Sequence, residues 1–374
     1  MTKLFIITGE YSGDKHASDV VKEIKKSDPE IEIEAVGGSN LEKAGAKLFS
    51  NHEKMSAMGI SLKIIKDHIL LGKKTADYLI NSYKPDLVLL VDYGGFNLNI
   101  ARVLKKAGLK IFYYIPPQIW ASRKWRIKTV KKYIDKVITI FPFEKEMYDK
   151  EGINSVFVGH PLVNQIPTSL NKEEFFRDYS LDIKRPLISI FPGSRVFEIK
   201  NLLDIFIKSA KIIQDKHPEI QFALCQAPTI KDELLTDKIP SNIKLIKNKN
   251  YELLAFSNAL ILASGTVALE AALYETPMII SYRGPRILYW IYLLVRCIKQ
   301  VSLPNIISGR EIFPELIQDM AKPEIIADNI MKIIENESYR ENMINELRNV
   351  KSFLTNKNSA EETAKIILSE LVKS

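Results

Sequence analysis

Cysteine is scarce in this chain: two residues among 374, Cys225 and Cys297, set in apolar stretches without CxxC or Cys/His spacing. That excludes a disulfide framework or a zinc ribbon and predicts buried free thiols. Histidine is equally sparse, with five scattered residues and no metal-ligand spacing, so no metal site and no cofactor is expected. No run approaches the roughly 18 to 20 apolar residues of a membrane span. The first residues, MTKLFIITGE, hold one lysine and a very short apolar run. Glu10 and Asp14 follow where a signal peptide would need small residues, which predicts a cytoplasmic protein. Repeats of solenoid period are absent.

What is present is an ordinary globular composition, 46% hydrophobic and 26% charged, in a chain long enough for two cores. The formal charge of +8 favours anionic partners without choosing among phosphates, nucleic acid and an anionic leaflet. Lysines spread over many helix surfaces also read as background usage.

The most informative stretch is ALILASGTVALEAALYETPMIISYR, Ala259 to Arg283. Ala259 to Ala263 has the length of a strand buried on both faces, Ser264-Gly265-Thr266 turns the chain, and Val267 to Tyr274 continues as a helix. A helix starting there offers backbone N–H groups to a phosphate, and Glu270, about a turn further in, can reach a sugar hydroxyl. The alternative is a plain junction whose Ser and Thr cap the helix.

The same alternation runs through the chain. Lys3 to Thr8 is a strand ending at Gly9-Glu-Tyr-Ser-Gly-Asp14, a loop that is neither GxGxxG nor a Walker loop. Its acidic groups suit sugar hydroxyls, or else Ser12 and Asp14 cap a helix from Lys15. Pro85 to Asp92 delivers Asp92 to a strand's carboxyl end, before Gly94-Gly95 and Asn97, which can cap a helix from Leu98. Asp92 is a general-base candidate there; equally, it can serve loop amides. Met58, Ile60, Leu62, Ile64, Ile65, Ile69, Leu70 and Leu71 form an apolar excess, either a lipid-facing surface or a buried helix. PPQIWASRKWR, from Pro116, interleaves aromatic and basic residues, which suits single-stranded nucleic acid, anionic head groups or an exposed basic helix. No RNA-binding signature accompanies it, so no nucleic-acid partner is expected. His160, in GHPL, reads as lining a cleft between domains, and Asn164 to Asn171 as a linker. Pro192-Gly193-Ser194-Arg195, after the strand Leu187 to Phe191, is an anion-site candidate with Glu198 beyond it. The aromatic run Ile287 to Cys297 is composed like an interfacial or buried helix, and SLPN at Ser302 to Asn305 precedes PELIQ ending at Gln318.

In this order, GEYSGD, PDLVLLVDYGGFN, YIPPQIWASRKWR, FPFEKEMY, VGHPL, FPGSR with Glu198, SGTVALE, SLPN and PELIQ resemble the lipid-A-disaccharide synthase family over nearly the whole chain. The resemblance implies an α/β chain of GT-B architecture, two facing Rossmann-like doubly wound domains with a cleft between them. The acceptor domain would span 1–165, the linker 166–171 and the UDP-sugar domain 172–355, with a final helix at 356–374 returning to the first domain. It implies inverting transfer from UDP-2,3-diacylglucosamine to the primary hydroxyl of lipid X, by a protein held peripherally at the inner face of the cytoplasmic membrane on its anionic surface. Asp92 would be the base, with Glu10 as the alternative, and Asn305 an essential amide. Arg195, Gly193, Ser194, Ser264, Gly265, Thr266, Glu270 and Gln318 would hold UDP. Ser12, Asp14, Asn97, Trp120, Arg123 and His160 would line the acceptor side. No Asp-x-Asp motif stands where the nucleotide should bind, so no metal is expected.

Two departures stand out. Gly94-Gly95 replaces a family pattern like DAPDFN, removing a second carboxylate and placing the load on Asp92 or Glu10. Ser122 stands where the family has a second tryptophan. Alternatives are another UDP-sugar enzyme of this architecture, a glucosaminyltransferase or epimerase, or a non-catalytic sugar-nucleotide-binding homologue. The oligomeric state is not legible.

Overall fold

The computed structural model describes residues 2–51, 62–285, 289, 297–354 and 357–372, the side chains of 62–65 excepted. The chain divides into two compact units, Met1–Pro161 with Leu354–Ser374, and Leu162–Phe353. The segment 166–171, expected as a linker, thus falls within the second unit, where Pro167 O accepts from the Tyr274 hydroxyl at 2.7 Å.

The first unit is built on seven strands: β1 (Lys3–Ile7), β2 (Glu32–Gly37), β3 (Lys47–Asn51), β4 (Leu87–Val91), β5 (Ile111–Tyr114), β6 (Lys136–Thr139) and β7 (Ser155–Phe157). They pair in the order β3-β2-β1-β4-β5-β6-β7, every ladder parallel. Leu87–Val91 is buried at all five positions because helices cover both faces of a parallel sheet, so an unbroken apolar run is what such a strand requires. The covering helices are α1 (Tyr11–Ser27), α2 (Ser39–Lys43), α3 (Leu62–Tyr78), α4 (Gly94–Lys106), α5 (Ile127–Tyr133) and α6 (Pro142–Lys150). The chain's last helix, Ser359–Leu371, packs on α1. Asn358 caps it by accepting from Ala360 N at 3.2 Å, and Glu370 pairs with Lys110 at 2.6 Å.

The second unit repeats the plan with six parallel strands: β8 (Leu187–Phe191), β9 (Gln221–Gln226), β10 (Ile243–Lys247), β11 (Ala259–Ala263), β12 (Met278–Tyr282) and β13 (Glu315–Ile317), in the order β10-β9-β8-β11-β12-β13. Its helices include α7 (Lys172–Asp178), α8 (Val196–Lys216), α9 (Asn250–Phe256), α10 (Val267–Leu273), α11 (Leu303–Ser308), α12 (Pro323–Glu335) and α13 (Glu337–Leu354).

In each sheet one neighbouring pair marks where the strand order reverses, β1/β4 in the first and β8/β11 in the second. The connections leaving such a pair run to opposite sides and open a crevice at the strands' carboxyl ends. Glu10 and Asp92 follow β1 and β4; Gly193–Arg195 and Ser264–Thr266 follow β8 and β11.

Several expectations need correction. α1 starts at Tyr11 rather than near Lys15, and α4 at Gly94 rather than Leu98, so Asn97 lies within the helix. The edge strand β3 and the three-residue β13 were not expected, since neither has the apolar run of a doubly buried strand. Cys225 is buried as expected, but Cys297 is exposed. Of the apolar excess, Met58 and Ile60 lie outside the described residues, as do the side chains of Leu62, Ile64 and Ile65, whereas Ile69 and Leu70 are exposed. In the run Ile287 to Cys297, only Tyr289 and Cys297 are described.

Candidate active site

At the first crevice the backbone is strained. Asp92 and Tyr93 both adopt left-handed conformations, φ 50° and 53°, which cost a non-glycine residue about 1–3 kcal/mol each unless the surroundings impose them. The surroundings do. Asp92 N donates to Tyr114 O at 3.1 Å, the buried Asn97 Nδ2 donates to Asp92 O at 2.8 Å, and the Tyr113 hydroxyl reaches the same oxygen at 2.7 Å. Tyr93 in turn folds over Gly9, where any Cβ would land inside its ring. It stacks on Phe96, with centroids 5.3 Å apart, and His68 approaches at 5.8 Å. Asn97 is therefore a tie holding the end of β4, not a helix cap, and it offers no amide N–H to a ligand.

The Asp92 carboxyl is half-buried, and its pKa is raised above the usual carboxylate value. Burial is the main cause and the charge of Glu10 adds to it, while a hydrogen bond from the Tyr93 backbone opposes both. Glu10 itself is exposed at the N-cap of α1, and Ser12 is exposed in its first turn. Asp14 has a different task from the one expected. It is fully buried and accepts from Gly38 N at 2.5 Å and Asn40 N at 3.0 Å, which anchors the turn into α2 and leaves it no reach to an acceptor.

Trp120 is likewise turned inward, 8% exposed, with Nε1 donating to the buried Glu144 Oε1 at 2.9 Å. Burial pushes the Glu144 carboxyl up to about 7. The exposed ring is Trp125, 62% exposed, beside exposed Arg123 and Lys124. Arg126 faces the Asp92 loop, since a Cβ on Gly94 would lie 3.6 Å from its Nη1. Arg126 is indistinguishable in sequence from its basic neighbours; only packing separates it. His160 lies against Phe141, centroids 5.0 Å apart, and is held neutral by burial and by His16, its pKa lowered to about 3.

In the second unit the Gly193–Arg195 turn differs from the anion site its composition suggests. Glu198 Oε2 already accepts from Ser194 N at 2.8 Å and Arg195 N at 3.2 Å, so those amides are taken. What remains for an anion is the Arg195 guanidinium, largely exposed and braced by Glu198 Oε1 at 3.1 Å. Gly193 is required here. Its φ is 114° and a Cβ would run into Glu198, so Gly193→Ala should cost about 1–3 kcal/mol, measurable as a lowered urea midpoint.

The Ser264–Thr266 turn is the more open of the two. Gly265 and Thr266 are exposed, no side chain caps α10, and a Cβ on Gly265 would meet nothing within 4 Å. Glu270 lies on the side of Cys225 and Tyr251, both of which feel its charge. Gln318 adopts φ 54°, accepts from Gly284 N at 3.3 Å, and has a buried Nε2 with no acceptor. Asn305 is fully buried: Nδ2 donates to Phe313 O at 3.1 Å and Glu315 Oε1 at 2.8 Å, and Oδ1 accepts from Ile312 N at 2.9 Å. Both Nδ2 hydrogens are thus engaged within the second unit, and in this arrangement the amide ties its own loop to Phe313 and Glu315.

Among the described residues, no group of three or more His, Cys, Asp or Glu side chains could hold a metal ion, and no helix is long and apolar enough to cross a membrane.

Both the sequence and the fold have known relatives. The family model for lipid-A-disaccharide synthetase matches residues 4–369. The lipid-A-disaccharide synthase of Coxiella burnetii (strain CbuK_Q154) is 35% identical over 97% of both chains. That of Geobacter metallireducens is 33% identical over 99% of this chain and 98% of its own. Among solved structures, the UDP-GlcNAc 2-epimerase of Neisseria meningitidis bound to UDP-GlcNAc superposes with a TM-score of 0.61 at 14% identity, covering 100% of both chains. The calicheamicin glycosyltransferase CalG4 gives 0.63 at 13%, covering 100% of this chain and 99% of its own. The paired doubly wound sheets are those of a GT-B enzyme. The chain belongs to the lipid-A-disaccharide synthase family, UDP-sugar-dependent glycosyltransferases that build the lipid A disaccharide on a lipid acceptor.

Proposed function

We propose that the enzyme transfers 2,3-diacylglucosamine from UDP-2,3-diacylglucosamine to the primary hydroxyl of lipid X with inversion, without a metal. The observation that carries this reading is Asp92: a half-buried carboxylate of raised pKa, held in a strained conformation at the reversal point of the first sheet. Its carboxylate takes the proton of the acceptor hydroxyl as that oxygen bonds to the anomeric carbon, and the bond from that carbon to UDP breaks with its electron pair on the departing phosphate. Arg195 and the open Ser264–Thr266 turn stabilise that charge, and Glu270 takes a ribose hydroxyl. With Gly94-Gly95 in place of a second carboxylate, no partner acid is invoked. Exposed Trp125, Arg123, Lys124, Ile69 and Leu70 support contact with an anionic membrane surface, where both substrates reside. Retention on anionic vesicles that is lost in high salt would be its signature.

The test is UDP release from the acylated donor with and without lipid X, in chelator. Acceptor-dependent release with a disaccharide product supports the reading. Release without acceptor would mean a hydrolase or epimerase, and loss on chelation would end the metal-free mechanism. Glu10 provides a separate check. Because its charge adds to the raised Asp92 pKa, Glu10→Gln should move the acidic limb of kcat/KM to lower pH and leave the plateau within a few-fold. Collapse of the plateau would instead make Glu10 the base.

A further inference from the structure

The second unit contains a cavity of about 240 Å³ lined by Ser264, Tyr282, Pro285, Val301, Ile317 and Gln318, among others. Its walls are aromatic and aliphatic, and Ser264 joins it to the open turn after β11. Its most distinctive polar feature is the Gln318 amide. Oε1 already accepts from Gly284 N at 3.3 Å, while Nε2 is buried without an acceptor, so the unmet hydrogen-bonding capacity at this wall is chiefly that of a donor. A nucleobase edge would bring a donor of its own beside the acceptors, whereas an amide or ester carbonyl asks for one N–H and nothing more.

Position on the sheet gives the direction. Glu270 lies towards Cys225 of β9 and Tyr251 of α9, on one side of β11. The cavity lies on the other side, against Tyr282 at the end of β12 and Ile317 of β13. A sugar nucleotide whose diphosphate rests on Ser264–Thr266 and whose ribose meets Glu270 must extend its sugar in the opposite direction, towards β12 and β13. In the acylated donor, C2, next to the anomeric carbon of that sugar, carries one acyl group and C3 the other.

We propose that this cavity, assigned above only through Ser264 and Gln318 as nucleotide contacts, receives a fatty acyl chain of the donor, with Gln318 Nε2 donating to the acyl carbonyl. The inference rests on the acylated-donor reading. Ile317, Val301 and Tyr282 then set the acyl length the enzyme accepts, since one methylene too many or too few in such a slot changes selectivity about tenfold or more.

The test compares two donors differing by several methylenes, with UDP affinity measured alongside. Ile317→Phe, which narrows the slot, should shift the kcat/KM ratio at least tenfold towards the shorter chain, and Val301→Ala, which widens it, should shift the ratio towards the longer. Both should leave the Kd of UDP within about twofold. A structural lesion would lower both donors together, so equal losses overturn the proposal; so does a change confined to UDP affinity, which would make the cavity a nucleobase site. Binding separates this from failure of the transfer reaction itself. By calorimetry UDP-2,3-diacylglucosamine should bind tighter than UDP, and Ile317→Phe or Gln318→Ala should erase most of that difference. Acylated donor and UDP binding equally to the unaltered enzyme would overturn the cavity assignment even if transfer were observed.

Discussion

Asp92→Asn should lower kcat by about 10²–10⁴-fold while raising, not lowering, the melting temperature at neutral pH. The opposing signs come from one cause. Burial raises the folded-state pKa of Asp92, so the folded protein binds this proton more tightly than the unfolded chain does. The stability the site contributes is therefore fully present below the ordinary carboxylate pKa and is lost as pH rises through the raised value. At neutral pH the charge is carried at a cost, and an asparagine does not carry it. Asparagine also tolerates the left-handed conformation at φ 50° better than most residues, so the substitution adds no backbone strain. A gain in melting temperature is expected near pH 7, shrinking towards acid pH where wild-type Asp92 is protonated. Melting curves at several pH values and steady-state rates with the acylated donor provide the check. A variant that melts lower at every pH would overturn the burial-cost account, and one that keeps wild-type turnover would remove Asp92 from the role of base.

The same cost explains what could be read from the sequence and what could not. Ala259–Ala263 and Leu187–Phe191 are legible to the residue because a strand covered on both faces is nearly all apolar, Ser189 being the exception and hydrogen-bonded to Ser257, and a polar turn must follow. The loops at the two reversal points are therefore identifiable by position alone. The direction of each polar side chain is not. Asp14 and Asn305 stand in loop-like runs with the same chemistry as residues that face solvent, yet both point inward, onto Gly38 and Asn40 in one case and Glu315 in the other. Trp120 and Trp125 are one composition with opposite fates, because only Trp120 finds a buried carboxylate within reach of its N–H. Gly13 makes GEYSGD look like a loop throughout. In the structure it is a buried helical residue on the side of Asp92, and a Cβ there would lie 3.5 Å from the Asp92 Cβ, an ordinary packing contact.

Glu315→Ala should be the most damaging single change in the second unit. One carboxylate on β13 accepts from Val301 N at 2.8 Å, Ser302 N at 2.9 Å, Ser302 Oγ at 2.6 Å and Asn305 Nδ2 at 2.8 Å. Removing it strips four donors of their acceptor, with Ser302 and Asn305 buried, at a total of about 3 kcal/mol even if water recovers part of the loss. That corresponds to a fall in melting temperature of roughly 6–12 °C. The clasp also fixes Val301 and, two and three residues beyond Glu315, Ile317 and Gln318, all on the cavity wall. Loss of activity at Asn305 should thus follow loss of structure. Asn305→Asp would set a second carboxylate against Glu315 in place of a donor and should destabilise about as much as Glu315→Ala. Adding Glu315→Gln to it restores a donor facing an acceptor and should recover a substantial part of the melting temperature, a coupling that a double-mutant cycle reads directly. Full stability in Asn305→Asp with kcat alone reduced would show that the amide acts on substrate after all, in a conformation where it has left Glu315.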